Sequence, residues 1–199
     1  MSLRRSAGDI NEYLEIFLYR NRLQLATSDS IYSDGIHYQP AVASINYLRT
    51  FLPSVKNVLI LGCGLGSMVH VIRQKGYSPF ITIVEIDKVV LRWAMEFFDE
   101  DDISKIKTVC ADAKDFMASN AAKYDLIFMD VFNGRVVPEF VFDTNFLRLC
   151  REGLADRGRL AFNYIINDGR QWEKVKNNFS EIFPGYHILN LGVNQILIA

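Results

Sequence analysis

Half of the 199 residues are hydrophobic, so the chain has the length of one domain and enough apolar content to bury a sizeable core. A formal net charge of −1 gives no electrostatic case for a nucleic-acid partner, and no basic stripe interrupts the sequence. No apolar run reaches the roughly 18 residues of a membrane span, and Met1–Arg5 lacks the apolar stretch of a signal peptide. Cys63, Cys110 and Cys150 show neither CxxC nor Cys/His spacing. No metal site is therefore expected; the three read as buried free thiols in a reducing cytoplasm.

Residues 1–35 differ from the rest and read as a small N-terminal β-appendage. Tyr13–Tyr19 and Arg22–Thr27 flank the polar pair Arg20-Asn21, the pattern of a β-hairpin. Ala7–Phe17 also tolerates helical spacing, which leaves a short helix as the alternative. Ser30–Gly35 reads as a further short strand, and Met1–Leu3 carry no functional weight. The hairpin's exposed edges invite pairing between subunits as a homodimer.

Residues 36–199 read as an α/β domain. A helix is expected over Tyr38–Phe51, with Pro40 in its first turn and Val42, Ile45, Leu48 and Phe51 on one face. Strands and helices then alternate. Strands are expected at 57–61, 80–85, 106–110, 124–130 and 159–165. Helices are expected at 67–74, 88–98, 113–120, 139–152 and 170–183. The pair 187–191 and 194–199 closes the chain around a Gly192 turn. Such alternation predicts a doubly wound, mostly parallel seven-stranded sheet of Rossmann-like type, with an antiparallel end.

The sheet is organised around Val58–Ser67, a buried strand followed by Gly62, Gly64 and Gly66 and then a helix. The glycines permit a sharp turn and let a ligand approach main-chain N–H groups. Their G-x-G-x-G spacing departs from the G-x-G-x-x-G dinucleotide fingerprint, because Ser67 occupies the last position, and this disfavours an NAD-dependent oxidoreductase. Glu85 ends the second strand about twenty positions on, where a carboxylate accepts bonds from both ribose hydroxyls. Asp87 is suited to capping the following helix or to ligand contact. Asp112, beyond the third strand, suits an exocyclic amine such as adenine N6, a helix N-cap, or both. Asp130 closes the apolar fourth strand at the mouth of the crevice, where it can hold a cationic group or take its proton; otherwise it braces the loop to Pro138.

These pieces together resemble the class I S-adenosylmethionine-dependent methyltransferase fold, and more closely the spermidine synthases and other polyamine aminopropyltransferases. The resemblance rests on VLILGCGLGS (58–67), VEID (84–87), ADAKDFM (111–117), YDLIFMD (124–130) and the stretch from Pro138 to Asn163. It implies S-adenosylmethionine or its decarboxylated form as group donor, and a small-molecule amine as acceptor. The Tyr38-Gln39 pair resembles one at the start of the family's first helix. That similarity implies Gln39 against the nucleoside and Tyr38 against the acceptor, with Asp130 as the catalytic residue; an ordinary helix start with a packed tyrosine is the alternative. Two departures stand out. Where the family carries a D-x-x-D-P loop, Asn133 replaces the second acid, and the N-terminal β-region is short. Glu139 and Asp143 are available as replacement charge, and both equally fit a helix surface. Two functions follow: an aminopropyl- or methyltransferase, and a non-catalytic nucleoside-binding module.

Overall fold

The structure, a computed structural model, describes residues 1–199. Four antiparallel strands open the chain: β1 (Ser2–Ser6), β2 (Leu14–Tyr19), β3 (Arg22–Ala26) and β4 (Ile31–Ser33), in that spatial order. The expected hairpin is β2–β3. Arg20 and Asn21 both take positive φ, 49° and 62°, the left-handed pair of a two-residue turn whose twist matches the strands. The helical alternative over Ala7–Phe17 is not adopted, because Leu14 and Ile16 alternate with Glu15 and bury one face of a strand. The hairpin is also larger than expected. Ser2–Ser6, of which Ser2 and Leu3 carried no functional weight in the sequence, pairs with β2 as a strand, which the exposed Ser-Leu-Arg-Arg-Ser pattern does not advertise.

Helix α1 (Gln39–Tyr47) is shorter than Tyr38–Phe51, since the chain tightens at Leu48 and enters a 3-10 turn, Leu52–Ser54. The alternation then follows: β5 (Asn57–Leu61), α2 (Ser67–Gln74), β6 (Phe80–Glu85), α3 (Lys88–Met95), a one-turn α4 (Glu100–Ile103), β7 (Ile106–Cys110), α5 (Ala113–Ser119), β8 (Tyr124–Met129). The expected helix 139–152 is broken. A 3-10 turn, Glu139–Phe142, precedes α6 (Thr144–Gly153), and Asp143 between them is extended and accepts from Asn145 N–H at 2.9 Å. An Asp that caps a helix cannot also sit inside one. Strand β9 (Leu154–Ile165) starts five residues before the expected Arg159, through a register shift against β8 that puts Arg157 at φ 62°. Helix α7 (Gly169–Ile182), β10 (His187–Leu191) and β11 (Asn194–Ile198) complete the chain.

The seven strands run β10-β11-β9-β8-β5-β6-β7. Pairs from β9 to β7 are parallel, and β10 and β11 are antiparallel. Both faces are covered. One buried cluster joins β2 and β3 to α1, α2 and α3 through Leu14, Leu25, Ile45, Val69 and Trp93, so the small sheet shares a core with the large one. The other cluster gathers α5, α6 and α7. The strand order reverses between β5 and β8, and a crevice opens there at the carboxyl ends of the strands. No helix is long and apolar enough to cross a membrane.

Candidate active site

The crevice is a cavity of about 810 Å³, within the roughly 300–1,000 Å³ usual for small-molecule sites. Gly62 and Gly64 border it, as do Glu85, Asp112, Asp130, Tyr38 and Asn133. The glycines of the turn are required by close packing as well. A Cβ at Gly62 (φ 81°) would lie 2.2 Å from the Asp130 carbonyl oxygen, and one at Gly64 (φ 52°) 2.7 Å from the Tyr32 carbonyl oxygen. The small residues let β5 close on β8 and on β4. Gly66 is packed against the Phe98 ring and lies outside the cavity wall.

Glu85 braces this turn with both oxygens. Cys63 N–H donates to Oε2 at 3.0 Å and Asp87 N–H to Oε1 at 3.1 Å. Each oxygen keeps acceptor capacity toward the cavity. Burial pushes the carboxyl above its usual range, and the two N–H donors partly offset this. Asp87 is buried and caps α3, accepting from Val89 N–H at 2.8 Å and Val90 N–H at 3.3 Å. Asp112 caps α5 through Lys114 N–H at 2.6 Å and also borders the cavity.

Asp130 sits just past the carboxyl end of β8 in a hydrogen-bonded group that joins three distant elements. Asn163 Nδ2, from β9, donates to Asp130 Oδ1 at 2.7 Å. Tyr38 OH, at the entry to α1, donates to the same oxygen at 3.2 Å. Asn194 Nδ2, from β11, donates to Asn163 Oδ1 at 3.0 Å and fixes that amide's orientation. Both protein donors fall on Oδ1, which leaves Oδ2 to the cavity. Burial pushes Asp130 up to about 7, despite the two donors that favour its charged form. The Tyr38 hydroxyl is raised well above its ordinary value by burial and by the neighbouring Asp130 charge, so it remains a neutral donor.

Gln39 is not part of this assembly. Its side chain is exposed, donates to His37 O at 3.2 Å and does not border the cavity, because α1 turns it outward one residue after Tyr38 turns in. Asn133 borders the cavity in a tight turn with Val136, their N–H groups and carbonyls exchanging bonds of 2.9 and 3.0 Å. Cys63 and Cys150 are buried, their thiols raised by burial, but Cys110 is exposed, since its edge strand β7 lacks cover there. The sequence reading did not single out Asn163, Asn194, Tyr32 or Asp29. For Asn163 a signal existed, a lone amide within the apolar run Leu160–Ile165 that is fully buried in the fold.

The sequence and the fold are similar to those of known proteins. The family model described as the spermine/spermidine synthase domain matches residues 37–184. The chain belongs to that family. Among spermine/spermidine synthase relatives, a probable polyamine aminopropyl transferase of Bifidobacterium longum is 30% identical over 162 residues, which are 80% of this chain and 35% of that protein. The chain thus spans about a third of this relative's length. The fold agrees with a crystal structure of a probable spermidine synthase from Corynebacterium glutamicum. Its TM-score is 0.79 at 19% identity, covering 100% of this chain and 79% of the other. Human methyltransferase-like protein 13, solved in complex with SAH, gives a TM-score of 0.66 at 23% identity, covering 80% of this chain and 78% of the other.

Proposed function

We propose that the protein is a transferase that moves an aminopropyl group from decarboxylated S-adenosylmethionine to a small amine. The observation that carries this reading is the Tyr38–Asp130–Asn163 group, which leaves one carboxylate oxygen open to the cavity that Glu85 and Asp112 also border.

Each residue then has a distinct task. Glu85, rigid through its bonds to the turn, accepts from the ribose hydroxyls. Asp112, fixed by its cap, accepts from the base amine. The donor supplies an electrophilic carbon on a sulfonium, so the chain's work is positioning the acceptor and removing its proton. Asp130 does both. Its charged form draws the ammonium in, and a carboxyl poised near 7 is matched to taking a proton at neutral pH. Nitrogen–carbon bond formation accompanies carbon–sulfur cleavage. The bond pair goes to sulfur and the amine proton to Asp130.

Asn133 favours a second reading. With an amide where the family pattern has an acid, the site holds less charge for a diamine, and methyl transfer from S-adenosylmethionine to a small molecule becomes the competitor. Turnover assays with each donor over a panel of amines separate the two. Product with decarboxylated donor alone supports aminopropyl transfer, and product with S-adenosylmethionine alone supports methyl transfer. Absence of turnover with either, together with an Asp130→Asn variant indistinguishable from wild type, would leave a non-catalytic nucleoside-binding role.

A further inference from the structure

The acids that the sequence offers in place of the missing one do not reach the cavity. Asp143 is committed to capping α6, Glu139 is exposed at the start of a 3-10 turn, and neither borders the cavity. A carboxylate comes from the N-terminal sheet instead. Asp29 lies in the turn between β3 and β4. The turn is closed by Thr27 N–H to Ser30 O at 2.9 Å, and Thr27 Oγ1 donates to Asp29 Oδ1 at 3.0 Å. No lysine or arginine pairs with Asp29, and its Oδ2 takes no protein hydrogen bond.

Asp29 faces the loop that carries Asn133. A Cβ at Gly134 would lie 2.8 and 2.9 Å from the two Asp29 carboxylate oxygens, so the carboxylate stands against the turn that carries Asn133. Tyr32, three residues on, holds the two walls together: Gly134 N–H donates to its hydroxyl at 2.6 Å, and that hydroxyl lies 3.1 Å from Asn11 Oδ1. Asp29, Asn133 and Asp130 all border the one cavity.

We propose that Asp29 is the specificity residue for the acceptor, holding the distal ammonium of a two-amine substrate whose reacting end lies at Asp130. The inference rests on the transferase reading above, and it places the second acid in the N-terminal sheet rather than in the loop after β8. Two carboxylates from different elements bordering one cavity suit two positive charges on one substrate. Arg135 is the one cationic side chain on the wall, and it favours a different occupant, an amine that also bears a carboxylate.

Calorimetry on the full chain saturated with 5′-methylthioadenosine tests this, with 1,4-diaminobutane, butylamine and 4-aminobutanoate as probes. The wild type should bind the diamine at least about tenfold more tightly than butylamine, the scale of one charge-assisted contact. Asp29→Asn should remove that preference while leaving nucleoside affinity unchanged, and Asp29→Glu should keep it. A diamine preference intact in Asp29→Asn, its loss in both variants, or tighter binding of 4-aminobutanoate than of the diamine would overturn the assignment. Failure of the wild type to bind 5′-methylthioadenosine would instead remove the transferase reading, and the role of Asp29 with it.

Discussion

At the scale of single residues the proposed chemistry centres on Asp130, and its environment predicts how the protein responds to pH. With its carboxyl raised to about 7, transfer activity should climb through that pH as the carboxylate forms, and a pH–rate profile reads the midpoint directly. Stability should move the other way. The folded state keeps a proton that the unfolded chain releases near the ordinary carboxylate value, so the folded state binds more protons from there up to about pH 7. Stability therefore falls as pH rises through that window, and Asp130→Asn should flatten the slope in urea titrations at several pH values. Asn163 is a positioning residue for the same carboxylate. Its donation favours the charged form, so Asn163→Ala should move the midpoint of the pH–rate profile above that of the wild type. The same variant leaves Asp130, Tyr38 and Asn194 short of a partner, and should cost about 1–3 kcal/mol of stability by denaturant unfolding. An unchanged midpoint would assign Asn163 a purely structural part. Asp130 was legible in the sequence because an acid ending an apolar strand is conspicuous. Asn163 was not singled out, since its role depends on β9 lying beside β8, a neighbour more than thirty positions away in the chain.

Elements are tied together by close approaches that tolerate little change. Gly62 holds a left-handed conformation with the Asp130 backbone directly over it. Gly62→Ala should cost about 1–2 kcal/mol for the left-handed backbone, and a further 1–3 kcal/mol or so for overpacking. A thermal melt checks the sum, and a neutral result would contradict the packing described. Asp143→Ala should cost about 1 kcal/mol, the loss of one N-cap, without altering nucleoside affinity. Strands β5 and β6 fall where the alternation puts them, because buried parallel strands are short apolar runs bounded by turns. The ends of helices were harder to read. Asp143 looks like a surface residue of a long helix until the backbone turns extended there, and the early start of β9 depends on a bulge that no periodicity records.

At the scale of the whole molecule, the N-terminal sheet is a wall of the site. Its strands share a core with α1–α3, and Tyr32 and Asp29 reach the loop after β8 from residues about a hundred positions earlier. Nothing local in Thr27–Tyr32 announces that contact, so the sequence offered Glu139 and Asp143 in its place. The doubly wound sheet and its crevice, by contrast, follow from element order alone, since a right-handed crossover leaves little freedom of topology. The central claim is that this crevice binds a sulfonium nucleoside for aminopropyl transfer. Calorimetric titration of the purified protein with decarboxylated S-adenosylmethionine and with S-adenosylmethionine tests it most directly. The account predicts saturable binding with a clear preference for the decarboxylated form, weakened at least about tenfold in Glu85→Gln. Preference for the carboxylated form, or no binding of either, would contradict it.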